Sequence, residues 1–167
     1  MKISQIITES KDPLSLWENE EPVKFIKSLT KFFGAPDEQT KSMAVWYNKD
    51  GFKRIVVQDE YIMHCCPGPH FDFVYSTIDL HVPKQFVRVL ADSTDSIILD
   101  LLKNEVTARC AGLSPNAVTL NYVLDVVSGR VTGSRDEYQR RILQLWDNKL
   151  TPDPEWWPDV TREVRKK

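Results

Sequence analysis

The chain has 167 residues, 41% hydrophobic and 28% charged, and its 22 Lys and Arg against 24 Asp and Glu leave a net charge of -2. That is enough apolar material for one buried core of ordinary domain size, and it excludes wholesale disorder. The two signs are interleaved without a long basic run, which excludes a general nucleic-acid footprint. No apolar run is long enough to span a membrane, and the N-terminus lacks the apolar core and cleavage site of a secretory signal. Three cysteines, two of them adjacent, do not make a secreted disulfide framework, so a reducing cytoplasm is expected.

The first ten residues, MKISQIITES, place Ile3, Ile6 and Ile7 at helical spacing and end in Glu9, after which polar residues and Pro13 break the pattern. This opening resembles the capsid-targeting peptide of internal head proteins of T-even-type phages. Such peptides begin Met-Lys, are amphipathic, and end in an aliphatic-x-Glu tripeptide that the prohead protease cuts. Here that tripeptide is Ile7-Thr8-Glu9, with Ser10 as the new N-terminus. The resemblance covers residues 1–10 alone. It implies an accessory protein carried in the phage head, partnered by the prohead protease during assembly, then delivered to the host cytoplasm to bind a host protein. A structural or assembly role in the virion shares the same peptide. Unlike the basic internal proteins of that family, this chain is slightly acidic, which argues against DNA condensation.

Residues 10–21 read as a linker that docks through Leu14, Leu16 and Trp17. A helix follows, with Pro22 in its first turn, Val23, Ile26, Leu29, Phe32 and Phe33 on one face, and Gly34 as its terminator. Lys24, Lys27 and Lys31 make a solvated opposite face. From Ser42 the period becomes two. Asn48-Lys49-Asp50-Gly51 supplies a turn between two extended runs, so a β-hairpin is expected.

The second strand runs into Tyr61–Pro83, which holds all three histidines (His64, His70, His81), two of the three cysteines (Cys65, Cys66), and Asp72 and Asp79. These are the side chains that bind transition metals or move protons near neutral pH. Pro67-Gly68-Pro69 forces a turn. Beyond it, alternation places Phe71, Phe73 and Tyr75 on one strand face and His70 with Asp72 on the other. The apolar residues then change parity to Ile78, Leu80 and Val82, which predicts a bulge at Ser76-Thr77.

Two kinds of chemistry suit this stretch. His70 with Asp72 as base and orienter, or Cys65 activated by a neighbouring histidine, would give a small enzyme. A zinc-type site drawing on His64, Cys66 and His81 is the other, although no Cys-x-x-Cys or His-Glu-x-x-His spacing is present. A mono-ADP-ribosyltransferase series beginning at Arg54 and Tyr75-Ser76-Thr77 fails, because Ile78 replaces its third serine and the only Glu-x-Glu, Glu18–Glu20, lies upstream.

Residues 83–90 suit either a short helix or a strand. Residues 97–111 are read as a hairpin about Lys103-Asn104 that pairs Leu101 with Val106, Leu99 with Ala108 and Ile97 with Cys110; a helix over 96–105 is the rival. Ser114-Pro115 opens a largely buried helix ended by Gly129, and Ser134 with Glu137 opens another as a capping box. In the tail, Trp156 and Trp157 either pack on the domain or bind a partner. The expectation is one α+β domain over 22–150, mainly antiparallel, with one N-terminal and two C-terminal helices. Residues 1–9 form the targeting peptide, 10–21 the linker, and 151–167 the Pro/Trp-rich tail.

Overall fold

The structure, a computed structural model, describes residues 12–65 and 68–147. The cleavage residues Ile7, Glu9 and Ser10, Cys66, and the tail with Trp156 and Trp157 lie outside the described residues. In chain order the elements are α1 (Glu20–Phe33), β1 (Glu38–Gln39), β2 (Met43–Lys49), β3 (Phe52–His64), β4 (His70–Asp79), α2 (Lys84–Ser93), β5 (Ile97–Asp100), β6 (Glu105–Cys110), α3 (Leu113–Val127) and α4 (Arg135–Asp147). The strands form one six-stranded antiparallel sheet in the order β1-β2-β3-β4-β6-β5. The protein is therefore a mixed helix-and-sheet domain. Among the described residues, no helix is long and apolar enough to cross a membrane.

Local chemistry sets most of the boundaries. Pro22 sits in the first turn of α1, where no backbone donor is needed, and Gly34 ends the helix at φ 84° with its N–H on the Thr30 carbonyl. The β2–β3 turn uses left-handed Asn48, Asp50 and Gly51. Ser134 caps α4 by accepting from the Glu137 N–H at 3.1 Å, but the return bond of a capping box is missing. The Ser134 N–H instead donates to the Tyr122 hydroxyl at 2.9 Å, and the Glu137 carboxylate is taken by Arg141. Tyr122 also meets Ser93 Oγ at 2.6 Å, so one buried phenol ties α2, α3 and the start of α4 together.

The core lies between sheet and helices, around Trp46, Ile55, Val74, Leu90, Leu120 and Val123. Each such side chain contributes about 1.5–3 kcal/mol on leaving water. Asn116 crosses from α3 to β4, donating from Nδ2 to the Val74 carbonyl and to Ser76 Oγ, both at 3.0 Å.

Three expectations are corrected. The described residues hold a fourth helix, α2, because Phe86, Val89 and Leu90 fall on one helical stripe against the core. The second hairpin pairs Ile97 with Ala108 and Leu99 with Val106, two residues out from the expected register. Residues 101–104 form a wider turn in which Asp100 Oδ1 accepts from the Lys103 N–H and Asn104 is left-handed. A slip of two keeps every side chain on its face, so the apolar pattern could not expose it. Finally, β4 carries no bulge at Ser76-Thr77: its pairing with β6 runs unbroken from Val74 to Asp79. Phe73, Val74, Ser76 and Thr77 are all buried, and burial of both strand faces imitates a change of parity.

Candidate functional site

The irregularity lies in β3 instead. Val57 pairs with Val74, but Ile62 pairs with Asp72, so four residues of β3 pass a single residue of β4. The three extra residues reverse the alternation of β3. Ile55 and Val57 share a face with Ser76 and Val74, and after the bulge Ile62 and His64 share that face with Asp72 and His70. The bulge is held from outside the sheet. Its Asp59 carboxylate accepts from the backbone N–H groups of Glu18 and Asn19 at 2.7 and 2.9 Å, and the Tyr61 hydroxyl accepts from the Glu21 N–H at 3.3 Å. The entry to α1 thereby fixes the turn of β3 that aims His64.

His64 and His70 face each other directly across the ladder, and Asp72 stands two residues along β4 on the same side. The Asp72 side chain is fully buried. One of its oxygens faces each imidazole: Oδ1 is 3.2 Å from His70 Nε2, and Oδ2 is 3.5 Å from His64 Nδ1. Arg109 Nε also lies 3.5 Å from Oδ2. These are ion-pair distances with poor alignment, and neither oxygen receives a hydrogen bond of good geometry from any described residue. Burying a carboxylate on those terms is costly, so its retention calls for an explanation.

The ring nitrogens are constrained. His70 Nδ1 lies 2.8 Å from the Gly68 carbonyl, which can only accept, so Nδ1 carries hydrogen. His70 Nε2 then faces both Asp72 and the Cys110 thiol, 3.4 Å away. A nucleophile relay needs the acid and the nucleophile on opposite ring nitrogens, so Cys110–His70–Asp72 is not one. Neither nitrogen of His70 is free for a substrate proton. Trp146 of α4 closes over the ring edge-on at 5.6 Å. Gly68 leaves room for this, since a Cβ there would sit 3.3 Å from the indole.

The electrostatics separate the two histidines. The Asp72 carboxylate, helped by the Cys110 thiol, pushes His70 up to about 10. Burial holds His64 below its ordinary value despite the same carboxylate. Burial also raises the Cys110 thiol, making it a poor nucleophile. Tyr75, half-buried and bonded to Glu60, is raised to about 12.

His64 is the member that meets open space. With Cys65, Thr94, Asp95, Arg135 and Tyr138 it lines a cleft of about 110 Å³ between the end of β3, the α2–β5 connection and α4. Ser96 Oγ lies 3.4 Å from His64 Nδ1, the outer limit of a hydrogen bond. Cys65 is free and exposed at this cleft. His81 is elsewhere. It follows the far end of β4, about 30 Å of strand from His70, and its Nδ1 meets Asn104 Oδ1 at 2.8 Å.

No family model, curated protein or solved structure matches this chain. The site therefore stands on its own geometry.

Of the expected residues, His64, His70 and Asp72 come together and their ligand atoms lie within 4.8 Å of one another. Cys65 borders the cluster and His81 does not. Sequence reading missed Arg109, Cys110, Ser96 and Trp146. Arg109 was legible only as one of the polar residues, with Glu105 and Thr107, that alternate with Val106, Ala108 and Cys110. The β4–β6 register, in which Arg109 pairs with Tyr75, brings it to within three residues of Asp72 along β4.

Proposed function

We propose that the protein is a small enzyme, metal-dependent or histidine-dependent, centred on His64, His70 and Asp72 and approached through the cleft beside His64. One observation carries this reading: a fully buried carboxylate faces two imidazole nitrogens and a guanidinium without an aligned hydrogen bond to any of them. A structural ion pair gains nothing from that arrangement, whereas a working site keeps unspent donors and acceptors. The tautomer of His64 gives two versions of the chemistry. With hydrogen on Nδ1 toward Asp72, Nε2 is a free base whose orientation Asp72 holds. With the lone pair on Nδ1, the same three residues present ligand atoms to a cation.

Hydrolysis of p-nitrophenyl acetate reads either version, because an accessible imidazole and a metal-bound hydroxide both attack activated esters. Cys65→Ser removes the exposed thiol that would otherwise react. In that background, His64→Gln should lower turnover on the order of tenfold or more, and His81→Gln should leave it unchanged. Equal rates in the two variants would contradict the proposal.

A second reading concerns where the protein acts, and the sequence of residues 1–10 supports it. As in the phage family it resembles, the chain would be packaged in the head, cut after Glu9, and delivered to the host to act on a host component. Mature chains from virions should begin at Ser10; chains that retain Met1 or Lys2 would contradict delivery by this peptide.

A further inference from the structure

We propose that His64, His70 and Asp72 form a three-ligand site for a first-row transition-metal dication of the zinc class, through His64 Nδ1, His70 Nε2 and the Asp72 carboxylate. This deepens the enzyme reading at the same site. It fails separately, since the imidazole version needs no metal.

Four features of the cluster carry it. The ligand types are two imidazoles and one carboxylate, and three protein ligands leave a position open for water or substrate, as in catalytic sites. The spacings suit a small ion. Metal–ligand bonds of about 2.1 Å at tetrahedral angles separate neighbouring ligand atoms by about 3.4 Å; the observed His70–Asp72 and His64–Asp72 separations are 3.2 and 3.5 Å. The third edge, His64 to His70, lies within 4.8 Å and closes by a small rotation of either ring. Next, the Gly68 carbonyl holds the hydrogen of His70 on Nδ1 and leaves the Nε2 lone pair pointing at a carboxylate oxygen. Two lone pairs 3.2 Å apart need a cation between them, a proton in the metal-free protein and the metal in the loaded one, and an outer carbonyl on the far nitrogen is the usual support of a metal-binding histidine. Lastly, both Asp72 oxygens are buried and unsatisfied.

Two neighbours modulate the site. Arg109 partly neutralises Asp72 at 3.5 Å, which weakens attraction for a dication. The Cys110 thiol lies 3.4 Å from His70 Nε2 but outside the three-ligand group. The site is thus an N,N,O site.

The test uses the tag-free full chain, stripped with chelator and titrated with zinc and cobalt(II) by calorimetry and visible absorption. Expected is one equivalent bound with Kd on the order of 1 µM or tighter, and a cobalt spectrum without a thiolate charge-transfer band. His64→Gln and His70→Gln, each compared at its metal-free melting temperature to establish folding, should weaken binding tenfold or more; His81→Gln should not. Zinc should raise the melting temperature of the wild type and of His81→Gln only. Absence of saturable binding, unchanged affinity in a folded His64→Gln or His70→Gln, or a thiolate band would overturn the proposal. If ester turnover survives in chelated protein that binds no metal, the metal is wrong and the imidazole enzyme stands. If both are lost, both readings fall.

Discussion

Two buried carboxylates sit near opposite ends of β4, and they are held in opposite ways. Glu105, paired with Asp79, gives Oε1 to Lys53 at 2.9 Å and Oε2 to Arg54 at 2.6 Å. Both bonds are short, both oxygens are used, and Arg54 and Lys53 hold the carboxyl down to about 2. Lys53 reaches Asp79 as well, so the charges at this end close on themselves. At the other end Asp72 is more deeply buried, has three polar neighbours at 3.2–3.5 Å, and is satisfied by none of them. Burial and charge are common to both carboxylates, so neither marks a site. The mark is whether the partners have consumed the carboxylate's hydrogen-bonding capacity.

The largest effect that would sharpen this contrast is on metal affinity. Asp72→Asn should reduce zinc binding on the order of 100-fold or more, measured by calorimetry, while Glu105→Gln should leave it unchanged. Loss of binding in both would dissolve the distinction.

Acid should separate the ends next. The folded value of Glu105 is lowered from its ordinary 4.5 to about 2. Its contribution to stability is therefore complete above the unfolded value and is lost as pH falls from about 4.5 through about 2. Denaturant midpoints across that window should fall in the wild type and fall less steeply in Glu105→Gln. Parallel curves for the two would show that the pair with Arg54 and Lys53 contributes nothing.

The smallest expected effect is at the lid of the open end. Gly68→Ala places a methyl 3.3 Å from the Trp146 ring, which must shift by a few tenths of an ångström. A cost of less than about 1 kcal/mol in thermal unfolding is expected, because α4 can yield and the backbone there is unstrained. A cost of several kcal/mol would mean that Trp146 is locked over His70.

Sequence alone reached the closed features and stopped short of the open ones. The ends of α1, the β2–β3 turn and the Ser134 cap of α4 follow from residues within four positions of one another and were legible, whereas α3 begins at Leu113 behind Gly112, with Ser114 already inside the helix. The histidine-rich stretch was legible as chemistry for the same reason. The bulge that turns His64 toward Asp72 was not, because it depends on Asp59 accepting from Glu18 and Asn19 some 40 residues earlier. Arg109 was missed because nothing near it in the chain reports that β6 lies beside β4. Helix α2 stayed ambiguous because its stripe spans few residues, and only packing against α3 and α4 decides between helix and strand.

The most direct measurement is the stability of Asp72→Asn against Glu105→Gln in metal-free protein at neutral pH, by denaturant titration. Glu105→Gln should cost about 1–2 kcal/mol, the loss of aligned, charge-assisted bonds to partly exposed cations. Asp72→Asn should cost less than Glu105→Gln, since the attraction to His70 that is lost is offset by relieving a buried carboxylate without an aligned hydrogen bond, and the new amide can donate to a neutral His70 Nε2. If Asp72→Asn proves the more damaging of the two, Asp72 is a structural counter-ion for Arg109 and His70, and the open end of β4 is not a site.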